Sequence, residues 1–272
     1  MTATTAPAPV SLAPRTNRAH VVGDALTMTW RNLMNIRRNP QLLVFATVQP
    51  VIFVLMFRYV FGGAIGPSLP GNVPYVDYLM PGIFVQTVVF GALTTGIGLA
   101  EDLGKGLIDR FRSLPMARSA VLVGRTTADV IRNLFVILLM CLVGYFIDWR
   151  VHTNLLGAAG AVVIILGFAY ALSWIFAIVG LTVRNAETAQ AVSFPIVAPM
   201  IFASSAFVPV RTMPGWLQGW ATNQPVSVVI DAARALCIGG PTTSLVLKAF
   251  AWIVGIVAIC APIAIARYRK AV

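Results

Sequence analysis

The sequence predicts an all-α, polytopic membrane protein with six transmembrane helices, on three observations. The 272-residue chain is 58% hydrophobic and 11% charged, whereas soluble domains carry about 25% charged residues. Its mean hydropathy is +0.83. Six windows, at 42–62, 78–100, 129–147, 155–183, 189–208 and 247–266, are apolar over the length needed to cross a bilayer. That length is roughly 20 residues for about 30 Å of hydrocarbon.

Residues 1–20 are rich in Thr, Ala and Pro and lack the apolar stretch of a secretory signal, so a disordered cytosolic tail is expected there. Residues 21–272 are expected to form one membrane domain. Ahead of the first span, Val22, Ala25, Leu26, Trp30, Leu33 and Ile36 share one helical face, opposite Asp24, Arg31, Asn35 and Arg38. This pattern predicts a helix lying in the membrane surface, stopped at Asn39-Pro40.

The first span carries Arg58 near its outer end, where snorkelling lowers the cost of a charge. It is read as an interfacial anchor or a charged gate. The second span holds Gly91, Ala92, Thr95, Gly96 and Gly98, small residues that let helices approach closely. Gln49, Gln86, Thr87, Gln190 and Ser193 are uncharged polar residues within spans, suited to bundle hydrogen bonds or to a pathway, with Gln86 the pathway candidate.

Residues 101–118 form a charged amphipathic block between the second and third spans. On a helix, Leu103, Leu107, Phe111 and Leu114 make one stripe and Asp102, Lys105, Asp109 and Arg112 the other side, with Pro115 ending the helix. Spacing alone fits either a lipid-resting interfacial helix or a cytosolic docking element. Asp129 and Arg132, three residues apart, are expected to pair at the start of the third span. In the fifth span Pro195 and Pro199 each remove a backbone hydrogen bond, predicting a kink or interruption that could line a pathway. Trp216 and Trp220, in the long segment 209–246, suit an outer membrane interface.

Fourteen of the twenty Lys and Arg residues lie on one side of this topology, in the segment before span one, the 101–125 region, Arg184 and the C-terminal Arg267, Arg269 and Lys270. Basic residues of short loops stay cytosolic, so both termini are expected in the cytosol. The net charge of +11 thus tracks topology, where a nucleic-acid surface would cluster it on one soluble face. Cys141, Cys237 and Cys260 have no metal-site spacing, and no disulfide is expected.

Ile108-Asp109-Arg110-Phe111-Arg112-Ser113-Leu114-Pro115-Met116, followed by Arg118-Ser119-Ala120, resembles the first cytosolic loop of ABC-2 type permeases, in their daunorubicin/doxorubicin-resistance (DrrB-like) branch. Phe57 to Ile65, Met213-Pro214-Gly215-Trp216-Leu217 and the run from Asn223-Gln224-Pro225 to Ala233-Arg234 are similar to the same branch. Gly104-Lys105 departs from it. The resemblance implies a permease subunit in a bacterial plasma membrane, with short helices dipping into the outer leaflet after span five. It implies two cytosolic ABC ATPase subunits as partners and a second permease, identical or related. Glu101, Asp102, Leu107, Asp109, Arg110, Phe111, Arg112, Leu114 and Pro115 would then couple to the ATPase. Arg58, Gln86, Pro195 and Pro199 are the gate or pathway candidates.

ATP and Mg would sit on the partner, since a phosphate-cradling loop needs G-x-x-x-x-G-K. Gly104-Lys105 is followed by Gly106 and preceded, at the position of the first glycine, by Leu99. No catalytic, metal or cofactor site is expected in the chain. A membrane enzyme is disfavoured because its only histidines, His20 and His152, fall in segments expected to be solvated, and no paired acids lie deep in a span. A passive channel lacks a charged ring or carbonyl filter.

Overall fold

The computed structural model describes residues 18–38, 40–69, 73–106, 118–183 and 185–271, and every regular element among them is helical. Helix α1 runs Arg18–Arg38 and α2 Pro40–Met56, prolonged by a π turn at Phe57–Phe61 and short helical turns at Gly62–Ile65 and Gly66–Ser68. Then come α3 (Tyr75–Gly104), α4 (Arg118–Phe146), α5 (Leu155–Thr182) and α6 (Ala186–Phe202). Two shorter helices, α7 (Gly215–Asn223) and α8 (Pro225–Ile238), precede α9 (Thr242–Ala271). Five of the described helical segments are long and apolar enough to cross a membrane, and α6 is a shorter apolar helix. The chain is a multi-pass membrane protein.

Local chemistry fixes where several helices start. Asn154 and Asn185 cap α5 and α6, their side chains accepting from the N–H groups of Gly157 and Thr188 at 2.8 Å. Pro225 opens α8, where its missing N–H leaves no helical bond unmade.

The centre of the bundle is the α3–α5 pair. A Cβ on Gly96 would lie 2.5 Å from the Phe176 carbonyl oxygen, and one on Gly180 would strike the Gly96 carbonyl, so the two backbones touch at a glycine crossing. Around it, α8 packs on α3, α5 and α9, while α2 and α9 turn most of their apolar side chains outward, as lipid-facing helices do. Arg267 on α9 donates to Thr182 on α5, which puts the end of α9 beside those of α3 and α4, near Lys105 and Arg125. This is the basic end of the bundle, and Asp77, Asp148 and Arg234 mark the far end.

Two sequence expectations are corrected. The helix of the third span starts at Arg118, eleven residues before the apolar window at 129, and its early turns are held by Arg125, ion-paired with Asp102, and by the Gly124 carbonyl, which accepts from Thr29. The prolines of α6 do not interrupt it: the helix runs through Pro195 and Pro199 to Phe202, and both proline rings are exposed on its outer surface. Helix α1 docks on α4 through Met28, Thr29 and one residue of its apolar stripe, Ala25, which leaves other stripe residues free to rest on a membrane surface. Gly124 admits this contact, since a Cβ there would lie 2.6 Å from that of Met28, and the Thr29 hydroxyl reaches its carbonyl at 3.2 Å. Val22, Leu26 and Trp30 of the stripe stay exposed.

Candidate functional site

Helices α1 to α4 enclose a cavity of about 450 Å³, within the range of small-molecule sites. Its walls come from Asn32, from Ala46, Gln49 and Pro50, from the α3 face between Gln86 and Glu101, and from the α4 face between Arg125 and Val136. Glu101 lies at the basic end, and Gln86 is about 22 Å further along the α3 axis at the helical rise. The cavity therefore starts among charges and reaches the middle of the span.

The charges on its walls pair with one another. Arg132 Nη1 lies 3.3 Å from Asp129 Oδ1 and donates to Thr94 Oγ1, and its Nη2 donates to the Gly91 carbonyl at 2.7 Å. The second oxygen of Asp129 accepts from Thr95 Oγ1 at 2.5 Å, and Ser173 of α5 lies 3.4 Å beyond, so a polar ladder crosses α4, α3 and α5. Arg125 is ion-paired with Asp102, bracing the last turn of α3 against the start of α4. Glu101 pairs with Lys105, and that hydrogen bond raises the Lys105 ammonium above its ordinary pKa.

Two glycines make this arrangement possible. A Cβ on Gly98 would collide with the Arg125 guanidinium, and one on Gly91 with the side chains of Asn133 and Arg132. Of the small residues on α3, Gly96 serves backbone contact, whereas Gly91 and Gly98 clear room for side chains crossing from α4.

Among the sequence candidates, Gln86 lines the cavity, as do Gln49 and Thr87; Glu101 stands at its mouth and Asp102 behind it. Leu107, Asp109, Arg110, Phe111, Arg112, Leu114 and Pro115 lie outside the described residues. Arg58, Pro195 and Pro199 do not line the cavity. Arg58 sits in the π turn at the far end, 3.5 Å from Asp148, and the two prolines face outward.

The far end holds two polar knots that sequence reasoning missed. Arg234, 8% exposed, donates to the carbonyls of Tyr78, Ser205 and Ala206, pairs with Asp231 at 3.1 Å and lies 3.5 Å from the Tyr78 ring centroid. It ties the chain break after α6 to α3 and α8. Asp77, 1% exposed, accepts from the Arg150 N–H at 3.0 Å and pairs with His152 Nε2 at 2.7 Å. His152 is therefore not simply solvated: its partner is supplied by the first turn of α3. The one available signal was an Asp and an Arg three apart in the otherwise apolar run 226–238. Among the described residues, no group of three His, Cys, Asp or Glu is placed to hold a metal ion.

Residues 24–238, spanning α1 to α8, match the family described as ABC-2 type transporter. The chain belongs to that family. This ABC-2 type protein is 35% identical to the daunorubicin resistance ABC transporter permease protein DrrB1 of Streptomyces coeruleorubidus, over 96% of the chain and 91% of the relative. It is 31% identical to the probable doxorubicin resistance ABC transporter permease protein DrrC of Mycobacterium tuberculosis, over 97% and 95% respectively. A putative transport permease, ycf38 of Porphyra purpurea, is 22% identical over 81% of the chain and 76% of its own length. In this ABC-2 type chain the cavity, both knots and the glycine crossing fall inside the family match.

Proposed function

We propose that the chain is the transmembrane permease subunit of a bacterial ABC exporter that moves hydrophobic drugs, antibiotics or lipid-like compounds out of the cell. The observation that carries this reading is similarity to two drug-resistance permeases over more than nine-tenths of each chain. ATP and Mg are held by a pair of separate cytosolic ATPase subunits, a second permease, identical or related, completes the path, and both termini lie in the cytosol. The ATPases grip residues 101–118, where Leu107, Phe111 and Leu114 fill a groove and Glu101, Asp102, Asp109, Arg110 and Arg112 surround it, with Pro115 closing the element.

The geometry suits such a transmission. The Arg125–Asp102 pair joins the ends of α3 and α4 that flank the block, and α1 is bonded to α4 at Gly124. A push on the block moves these helix ends together and reshapes the cavity they enclose.

The test is co-purification of the tagged chain with a co-expressed ABC ATPase, followed by ATPase assays with daunorubicin in nanodiscs. A stoichiometric complex whose hydrolysis responds to the drug, and which is lost on changing Phe111 and Leu114 to Asp, is expected. A permease isolated alone in mild detergent, or full transport by that variant, would overturn the reading.

A further inference from the structure

Two buried polar atoms on the cavity wall have no hydrogen-bond partner: Gln86 Oε1, an acceptor, and Asn133 Nδ2, a donor. Both residues are only 2% exposed, and buried polar groups are nearly always satisfied. The wall around them is apolar at Pro50, Phe90 and Val136 and uncharged at Gln49 and Thr87. Arginine and aspartate are close by but committed, Arg132 to Asp129, Thr94 and the Gly91 carbonyl, and Arg125 to Asp102.

We infer that the inner part of this cavity is a binding site for an uncharged amphipathic compound bearing hydroxyl or carboxamide groups on an apolar body. The chemistry follows from the two open atoms. An ammonium could serve Gln86 Oε1 but not Asn133 Nδ2, and a carboxylate or phosphate could serve Asn133 but not Gln86. A hydroxyl or carboxamide both donates and accepts, so it suits both. The paired charges on the walls leave no unmatched charge to attract an ion. The apolar body packs on Phe90, Val136 and Pro50, as in other small-molecule sites. Gly91 is part of the construction, because any side chain there would displace Asn133. The inference rests on the exporter reading only for its direction of loading, from the cytosolic side where Glu101 and Arg125 line the cavity.

The test uses the full chain in nanodiscs and two probes with one body, 1-pyrenemethanol and 1-methylpyrene, with affinities taken by equilibrium dialysis against empty nanodiscs. A site built to hydrogen-bond a hydroxyl discriminates against the analogue lacking it, so the alcohol is expected to bind at least tenfold tighter. The isosteric double variant Gln86→Met, Asn133→Leu is expected to bring that ratio to about one while keeping methylpyrene binding, which also reports a folded cavity. A ratio near one in the natural chain, meaning that only water meets the two groups, overturns the site. So does a ratio unchanged in the double variant. If that variant does not fold, the natural chain's ratio still decides. Selective binding without an associated ATPase would remove the exporter reading alone, and an associated ATPase with a ratio of one would remove this site alone.

Discussion

Arg234 and Arg125 sit at opposite ends of the bundle, and each is bonded to an aspartate. At the far end Arg234 is buried, and its guanidinium also satisfies three backbone carbonyls, two in the turn after α6 and that of Tyr78 in α3. At the basic end Arg125 is partly exposed on a cavity wall and spans two helix ends through one aspartate, with glycine space beside it. The same pair of residue types locks a turn to two helices in one place and links two helix ends in the other. Removing a buried, many-bonded guanidinium strands the carbonyls it serves, whereas Arg125 and Asp102, 20% and 23% exposed, can exchange their single contact for water.

The largest effect is expected for Arg234→Met. Removing one member of a buried ion pair costs about 3–5 kcal/mol, and we expect the variant to lose its monodisperse peak in detergent and to melt far below the natural chain. Next is Gly96→Val, which forces α3 and α5 apart at their crossing. Overpacking of this kind costs about 1–3 kcal/mol, read as a lower melting temperature. Arg125→Ala is expected to cost about 1 kcal/mol or less in stability yet to lower transport at least tenfold. Equal stability losses for Arg125→Ala and Arg234→Met would abolish the distinction between the two ends. The smallest effect concerns Cys237 on α8: burial pushes its thiol up to about 12, so the reactive thiolate is scarce at pH 8. Its modification by maleimide is expected to be negligible there, to rise only as the pH approaches 12, and to be complete once the chain is unfolded in detergent.

The spans were legible because hydropathy is a property of 20 consecutive residues and needs no knowledge of the fold. The first turns of α4 were not, since Gly124, Arg125 and Thr126 read as loop until Asp102 and α1 are brought to them. Pro195 and Pro199 mark a kink or interruption by local rules, but both are exposed on α6 and the helix continues past them to Phe202. Gly91, Gly96 and Gly98 look alike as letters; only the opposing surface decides whether each admits a backbone or an arginine. Gln86 was singled out as a polar residue in a span, and it does face the cavity. Arg234 escaped notice because the carbonyls it satisfies come from α3 and from residues 205 and 206.

In the proposed exporter the basic-end cavity changes shape when an ATPase partner is engaged, while the far end stays fixed. The direct measurement is labelling by a membrane-impermeant maleimide of Thr94→Cys on the cavity wall and of Asp148→Cys at the far end, each in a chain whose three native cysteines are replaced. It is done on the assembled complex with both membrane faces accessible, without nucleotide and after trapping with ATP and vanadate. The rate at position 94 is expected to fall at least tenfold on trapping while that at position 148 is unchanged. Equal rates at position 94 in the two states would contradict this change of shape.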